Sequence, residues 1–243
     1  MRTLIGLAIL IASTASAQYP PTAVKNLKVL PADISVDSLL ETMAGFTRAL
    51  GVRCTYCHLG RDEQPLDSID FASDVRPAKE KARVMLRMVA AINGEHLAQL
   101  PNRRTPATAV GCFTCHHGIA LPRSLQQLLL GAYSAGGVDS VMSAYRALRA
   151  RYYGRAAYDF GEVPLVDVAN TIRTSGKLTE ALRLYQLNVE MVPTSTFALR
   201  SLAGASLAAG DSATAIASYE RALAINPNDT QSRAALDRLR RRE

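Results

Sequence analysis

The stretch Gly51-Val52-Arg53-Cys54-Thr55-Tyr56-Cys57-His58 contains a five-residue pattern that returns as Cys112-Phe113-Thr114-Cys115-His116, and these two copies hold all four cysteines and two of the four histidines of the 243-residue chain. C-x-x-C-H is the signature of c-type haem attachment. Two thiols three positions apart on a helical turn can form thioethers with the two vinyl groups on one edge of a haem. The next imidazole then comes beneath the iron as proximal ligand. A zinc site built from two C-x-x-C halves usually separates them by about 15–20 residues, whereas 54 residues lie between Cys57 and Cys112. A thioredoxin-like pair needs a βαβ setting that the chain lacks. The pattern therefore predicts two covalently attached haem c groups, with Cys54, Cys57, Cys112 and Cys115 binding the cofactor and His58 and His116 binding the iron.

A haem that carries electrons usually has a sixth ligand, and Met opposite His raises its reduction potential. The candidates are Met43, Met85, Met88, Met142 and Met191, with His96 and His117. His117 directly follows His116, so its side chain leaves the turn in another direction and could at most serve the other haem. Met43 lies on an expected helix that Ser35 caps, Val36, Leu39, Leu40, Met43, Phe46 and Leu50 stripe, and Gly51 stops. Helix followed at once by chain reversal suits a ring held between its attachment turn and the preceding helix. A second helix is expected to open at Asp74 and Pro77, to carry Ala78, Ala82, Met85, Met88, Val89 and Ile92, and to end at Gly94. Met85 and Met88 are three apart and share a face, so periodicity alone does not choose between them.

Residues 22–120 resemble the cytochrome c subunit of photosynthetic reaction centres and its smaller relatives. The resemblance rests on Asn26-Leu27-Lys28-Val29-Leu30, on Gly51-Val52-Arg53, on Ala82-Arg83-Val84-Met85-Leu86-Arg87-Met88 with Ile92-Asn93, and on Gly118 after the second motif. In that family a helix bearing a Met ligand precedes each motif, which implies Met43 for the first haem and Met85, with Met88 as alternative, for the second. The reaction-centre subunit has four haems in two halves, of which this chain matches one. The resemblance implies electron transfer between a redox donor and acceptor, not photosynthesis. His96 does not align with the family's further histidine ligand and reads as a surface or propionate contact.

Farther along, Gly176 and Gly210, Ala181 and Ala215, Tyr185 and Tyr219, and Pro193 and Pro227 each recur after 34 residues, which is the tetratricopeptide period. Thr179-Glu180-Ala181-Leu182 and residues 213–224 read as the second helices of two such repeats, with residues 124–160 as degenerate helices capping them. At the other end, Arg2, an apolar run and Ala15-Ser16-Ala17 read as a signal peptide cut before Gln18, predicting a periplasmic chain with no membrane span after cleavage. The expected architecture is all-α: signal peptide 1–17, dihaem cytochrome domain 18–122, helical bridge or degenerate repeat 123–162, and tetratricopeptide repeats 163–240.

Composition narrows the function. With no Trp and 6% aromatics, a stacking platform for single-stranded nucleic acid is excluded. The net charge of +7 falls to +6 without residues 1–17, divided as 12 basic against 10 acidic residues over 18–120 and 15 against 11 over 121–243. Four haem propionates would offset most of the first share, leaving the basic excess on the repeats, suited to an acidic protein or membrane surface rather than to nucleic acid. No nucleophile–base constellation stands out, so the chain reads as an electron carrier with a partner-docking repeat domain rather than an enzyme. The alternatives are a haem peroxidase with one open iron and a redox-sensing scaffold.

Overall fold

A computed structural model describes residues 19–21 and 23–241. Among them the chain is all-helical, and its one extended pairing is an antiparallel bridge between Leu59 and Asp70. The signal peptide expected over residues 1–17 lies outside the described residues. No helix among those described is long and apolar enough to cross a membrane. The chain divides between Pro122 and Arg123 into two compact units.

The first unit is organised by α1 (Val36–Leu50) and α2 (Pro77–Ala91). Ser35 caps α1 by accepting the Ser38 N–H at 3.2 Å, and Gly51, at φ 64°, ends it in the left-handed region. That end is pinned: the Gly118 N–H donates to the Ala49 carbonyl at 2.9 Å. A Cβ on Gly51 would overlap the Gly118 carbonyl oxygen. Glycine is thus required at position 51 twice over, for its backbone angle and for the close passage of another backbone. The contact docks α1 against α3 (Cys112–His116), the helix formed by the second Cys motif.

The second helix differs from expectation at both ends. Pro77 occupies its first turn, but Arg76, not Asp74, holds the capping position, and Gly94 does not stop the helix. After Ala91 the helix widens into a π turn over Ile92–His96, with Gly94 inside it. Such turns carry one extra residue and re-aim side chains. Here Asn93 is aimed at the chain before the second motif: its amide donates to the Val110 carbonyl at 2.9 Å and its oxygen accepts the Val110 N–H at 2.8 Å.

Asp74 is a hub instead of a cap. Its carboxylate meets Lys28 at 2.7 Å, Arg83 at 2.9 Å, Lys79 at 3.1 Å and the Asn26 amide at 2.9 Å. Lys79 also donates to the carbonyls of Phe71, Ala72 and Ser73, each at 2.9 Å. Arg83, on α2, is buried and reaches the Asn26 carbonyl at 3.3 Å. The Arg83 hydrogen bond, then those from Lys28 and Asn26, hold the Asp74 carboxyl far below the usual carboxylate range.

In the second unit, α4 (Leu125–Tyr152) is capped by Ser124 and broken into two arms at Gly136 and Gly137. Next come α5 (Val163–Thr174) and α6 (Leu178–Met191), α7 (Thr196–Ala208) and α8 (Ser212–Ile225), and α9 (Thr230–Arg240). The expected second helices are α6 and α8. Gly176 and Gly210 take matching positive φ values of 86° and 80° in the turns that join each helix pair. Ala181 and Ala215 are fully buried and Tyr185 and Tyr219 nearly so, so the recurring small and aromatic residues hold equivalent packing positions. Tyr145 and Val141 of α4 enter the same apolar core as Leu165, Ile172 and Leu184, which makes the kinked helix a third layer of the helical repeat array.

Two expectations follow. Gly51→Ala should destabilise the first unit by at least about 1–2 kcal/mol, the cost of a left-handed L-residue alone, read as a lower urea midpoint. Asp74→Asn should lower its melting temperature at pH 7. A depressed carboxyl stabilises the fold above its unfolded pKa and loses that contribution as pH falls, so the deficit should shrink below about pH 4. A deficit constant across that range would contradict the hub.

Candidate functional site

Each Cys motif folds into one turn. The first forms a 3₁₀ turn over Cys54–Tyr56, and the His58 N–H donates to the Cys54 carbonyl at 3.0 Å. The second forms α3, with the Thr114 hydroxyl accepting the Gly111 N–H at 3.0 Å. After α3, His117 and Gly118 take φ values of 49° and 83°, turning the chain away from His116. Gly118 thus closes the attachment turn and is also the point that binds α1.

The two motif histidines share a geometry. His58 Nδ1 lies 3.1 Å from the Phe71 carbonyl, and His116 Nδ1 lies 3.0 Å from the Ile119 carbonyl. A carbonyl oxygen only accepts, so Nδ1 carries the proton in both rings, and in the neutral tautomer the lone pair is on Nε2. This is the tautomer a metal needs, held by the kind of outer contact that orients ligating imidazoles. Burial, then the charge of Lys79, pushes the His58 pKa down and favours the neutral ring. Phe71 adds an edge-on ring contact at 5.0 Å.

No disulfide joins the four cysteines: Cys54, Cys57 and Cys112 are half-buried and Cys115 is exposed. Burial first, then the neighbouring Cys54, raises the Cys57 thiol pKa. Met43 is half-buried on α1. Met85 and Met88 are 43% and 44% exposed on α2 beside Val84, so exposure treats the two alike. Met142 and Met191 pack against the core of the second unit. His96 is exposed in the π turn, and His117 is half-buried with its ring edge-on to Phe113 at 5.5 Å.

The surroundings fit a large apolar cofactor. Among the described residues, the first unit's buried apolar side chains are Ala49, Ile69 and Ile119. Tyr56 and Phe113, inside the motifs, and Leu59, just after the first, are exposed, as are Val84, Met85 and Met88 on α2. Paired thiols, an imidazole with Nε2 available and uncovered apolar side chains recur at both motifs, which is the donor set and lining that a thioether-linked haem requires.

Four positioning features were not legible as such in the sequence. The Phe71 carbonyl acts from 13 residues beyond His58, and a main-chain acceptor leaves no residue-type signal. The Ile119 carbonyl follows from the Gly118 turn. Asn93 carries no signal of its own beyond the family resemblance, and Asp74 reads as a helix opener.

Comparison with known proteins places this geometry. Residues 10–141 match the family described as photosynthetic reaction centre cytochrome C subunit. Cytochrome c-554 of Chloroflexus aurantiacus is 32% identical over 174 residues, covering 72% of this chain and 36% of that protein. The photosynthetic reaction center cytochrome c subunit of Thermochromatium tepidum is 28% identical over 155 residues, covering 63% of this chain and 34% of its own. The chain thus spans about a third of the length of these relatives. Among solved structures, PcrH in complex with the chaperone binding region of PopB overlaps 47% of this chain and 87% of that one at 19% identity, with a TM-score of 0.30, too low to carry an argument. On the family match, which spans more than half of it, the chain belongs to the photosynthetic reaction centre cytochrome c subunit family, a membership that implies covalently bound haem c.

Proposed function

We propose that the protein is an exported dihaem c-type cytochrome that carries single electrons between redox protein partners and uses its repeat array for docking. The observation that carries the reading is the matched preparation of His58 and His116, each with Nδ1–H committed to a main-chain carbonyl. Haem iron supplies a one-electron ferric–ferrous couple when bound. Cys54 and Cys57, and Cys112 and Cys115, would hold one haem each by thioethers. His58 and His116 would ligate through Nε2.

Met43 would be the further ligand of the first haem iron and Met85 that of the second, with Met88 as the alternative. A thioether ligand favours the ferrous state and raises the potential. Asn93 ties the end of α2 to Val110 and so fixes the methionine helix relative to the second attachment turn. The Phe71 carbonyl orients His58, while burial and then the charge of Lys79 favour its neutral form. Export would follow from residues 1–17 and leave the mature chain in the periplasm. The 34-residue helix pairs support a tetratricopeptide reading of the array, whose basic excess suits an acidic partner.

A redox titration with optical and spin-state spectroscopy on holoprotein, matured in a host that attaches haem c, tests the reading. Two low-spin couples with a sulfur-to-iron band are expected. Met43→Ala and Met85→Ala should each convert one haem to high spin and lower its potential, while Met88→Ala leaves both low-spin. Conversion by Met88→Ala instead would move the ligand by one turn. A native high-spin haem with peroxide turnover would favour the peroxidase alternative, and redox-dependent partner capture without electron flow would favour the sensing scaffold.

A further inference from the structure

One imidazole of the first unit is left without a role. The His117 side chain makes no hydrogen bond to any described residue, and its Nδ1 is buried without a partner. Its backbone is unfavourable as well, with φ 49° and ψ 34° in the left-handed region. Glycine adopts that conformation freely and leaves no ring nitrogen to desolvate, yet histidine stands here with Gly118 beside it.

The ring is held in place. The His117 N–H donates to the Phe113 carbonyl at 3.0 Å, and the imidazole lies edge-on to the Phe113 ring at 5.5 Å. The next residue is tied to α1, because the Gly118 N–H donates to the Ala49 carbonyl at 2.9 Å and the Gly118 carbonyl passes against Gly51. The turn bearing His117 therefore meets the end of α1, where Gly51 lies three residues before Cys54 of the first motif.

The two ring nitrogens are unequal. Nδ1 is closed off, whereas Nε2 is not buried in that way and has no partner among the described residues. Iron at Nε2 would require the proton on Nδ1, as in His58 and His116, where a main-chain carbonyl accepts it. No such carbonyl serves His117, so a buried N–H would be stranded. An anion at Nε2 reverses the arrangement: the proton sits on Nε2 and only a lone pair is buried at Nδ1.

We propose that His117 is a positioning residue that donates from Nε2 to a propionate of the haem held by the first motif. The inference rests on the dihaem reading above and assigns this side chain to the neighbouring haem, not to the one that His116 ligates. Propionates are the anions that such a cofactor brings, and hydrogen bonds to carboxylates are roughly twice as strong as neutral ones. A donor that offsets this negative charge disfavours the ferric state, so His117 raises the potential of the first haem.

The test is a spectroelectrochemical titration of full-length holoprotein beside three variants, with the first haem's couple identified as the one that Met43→Ala moves. His117→Gly removes the side chain and suits the backbone. His117→Asn also suits the backbone, but its amide nitrogen reaches only as far as Nδ1. His117→Gln carries its amide nitrogen out to the level of Nε2 and fits the turn less well. The Gly and Asn variants should each raise the ferric-to-ferrous ratio of that couple about threefold at fixed potential, a fall of roughly 30 mV for one electron. The Gln variant should keep the original potential, and both haems should stay low-spin throughout. A merely structural role would rank the variants by their fit to the turn, with Gln the most perturbed, and would overturn the proposal. So would a haem made high-spin by His117→Gly, which would mark an iron ligand, or a shift confined to the other couple. Two low-spin couples indifferent to all three substitutions would remove the inference and leave the carrier reading standing. A protein that attaches fewer than two haems would remove the dihaem reading and the inference with it.

Discussion

The hydrogen bond from the Gly118 N–H to the Ala49 carbonyl, 2.9 Å long, joins the turn after the second Cys motif to the helix before the first. It exists only because two backbones pass where a side chain on Gly51 would sit. The first unit's motif imidazoles are oriented by main-chain contacts of the same kind. Phe71 and Ile119 orient the histidines through carbonyls, Val110 is held through both of its backbone groups, and Lys79 gathers three successive carbonyls. Backbone acceptors cannot rotate away as side chains can, which suits a site that must keep its geometry through changes of charge.

The two units hold together by different physics. The second buries Leu129, Val141, Tyr145, Leu165, Leu184 and Leu199 in a continuous apolar core, the ordinary source of stability for a helical array. In the first, the buried charged residue Arg83 and the exposed carboxylate of Asp74 organise loops around α2 while apolar side chains near the motifs stay uncovered. A pair of covalently anchored macrocycles would supply the apolar mass that such a unit needs. Attachment of the cofactor and completion of the fold then become one process.

Much of this was legible beforehand because the signals are local. Ser35 and Gly51 bracket α1 as a cap and a stop should. The 34-residue recurrences land on equivalent buried alanines, inter-helix tyrosines and positive-φ glycines. The misreadings came from residues whose partners are distant in sequence. Asp74 sits three residues before Pro77 and reads as a helix opener, yet its carboxylate reaches Arg83, Lys28 and Asn26. Gly94 reads as a stop, but the π turn that aims Asn93 at Val110 carries the helix past it. Within the stretches that carry the family resemblance, Asn26, Lys28, Gly51, Arg83, Asn93 and Gly118 each make a tie to a distant part of the first unit.

The central claim is that both Cys motifs are haem anchors in one small unit. Intact-mass measurement of the exported, matured protein, combined with alkylation of accessible thiols under denaturing conditions, tests it most directly. Two haem increments on a chain beginning at residue 18, with no cysteine open to alkylation, are expected. A single increment with one motif's cysteines alkylated, or none with all four alkylated, would contradict the dihaem assignment.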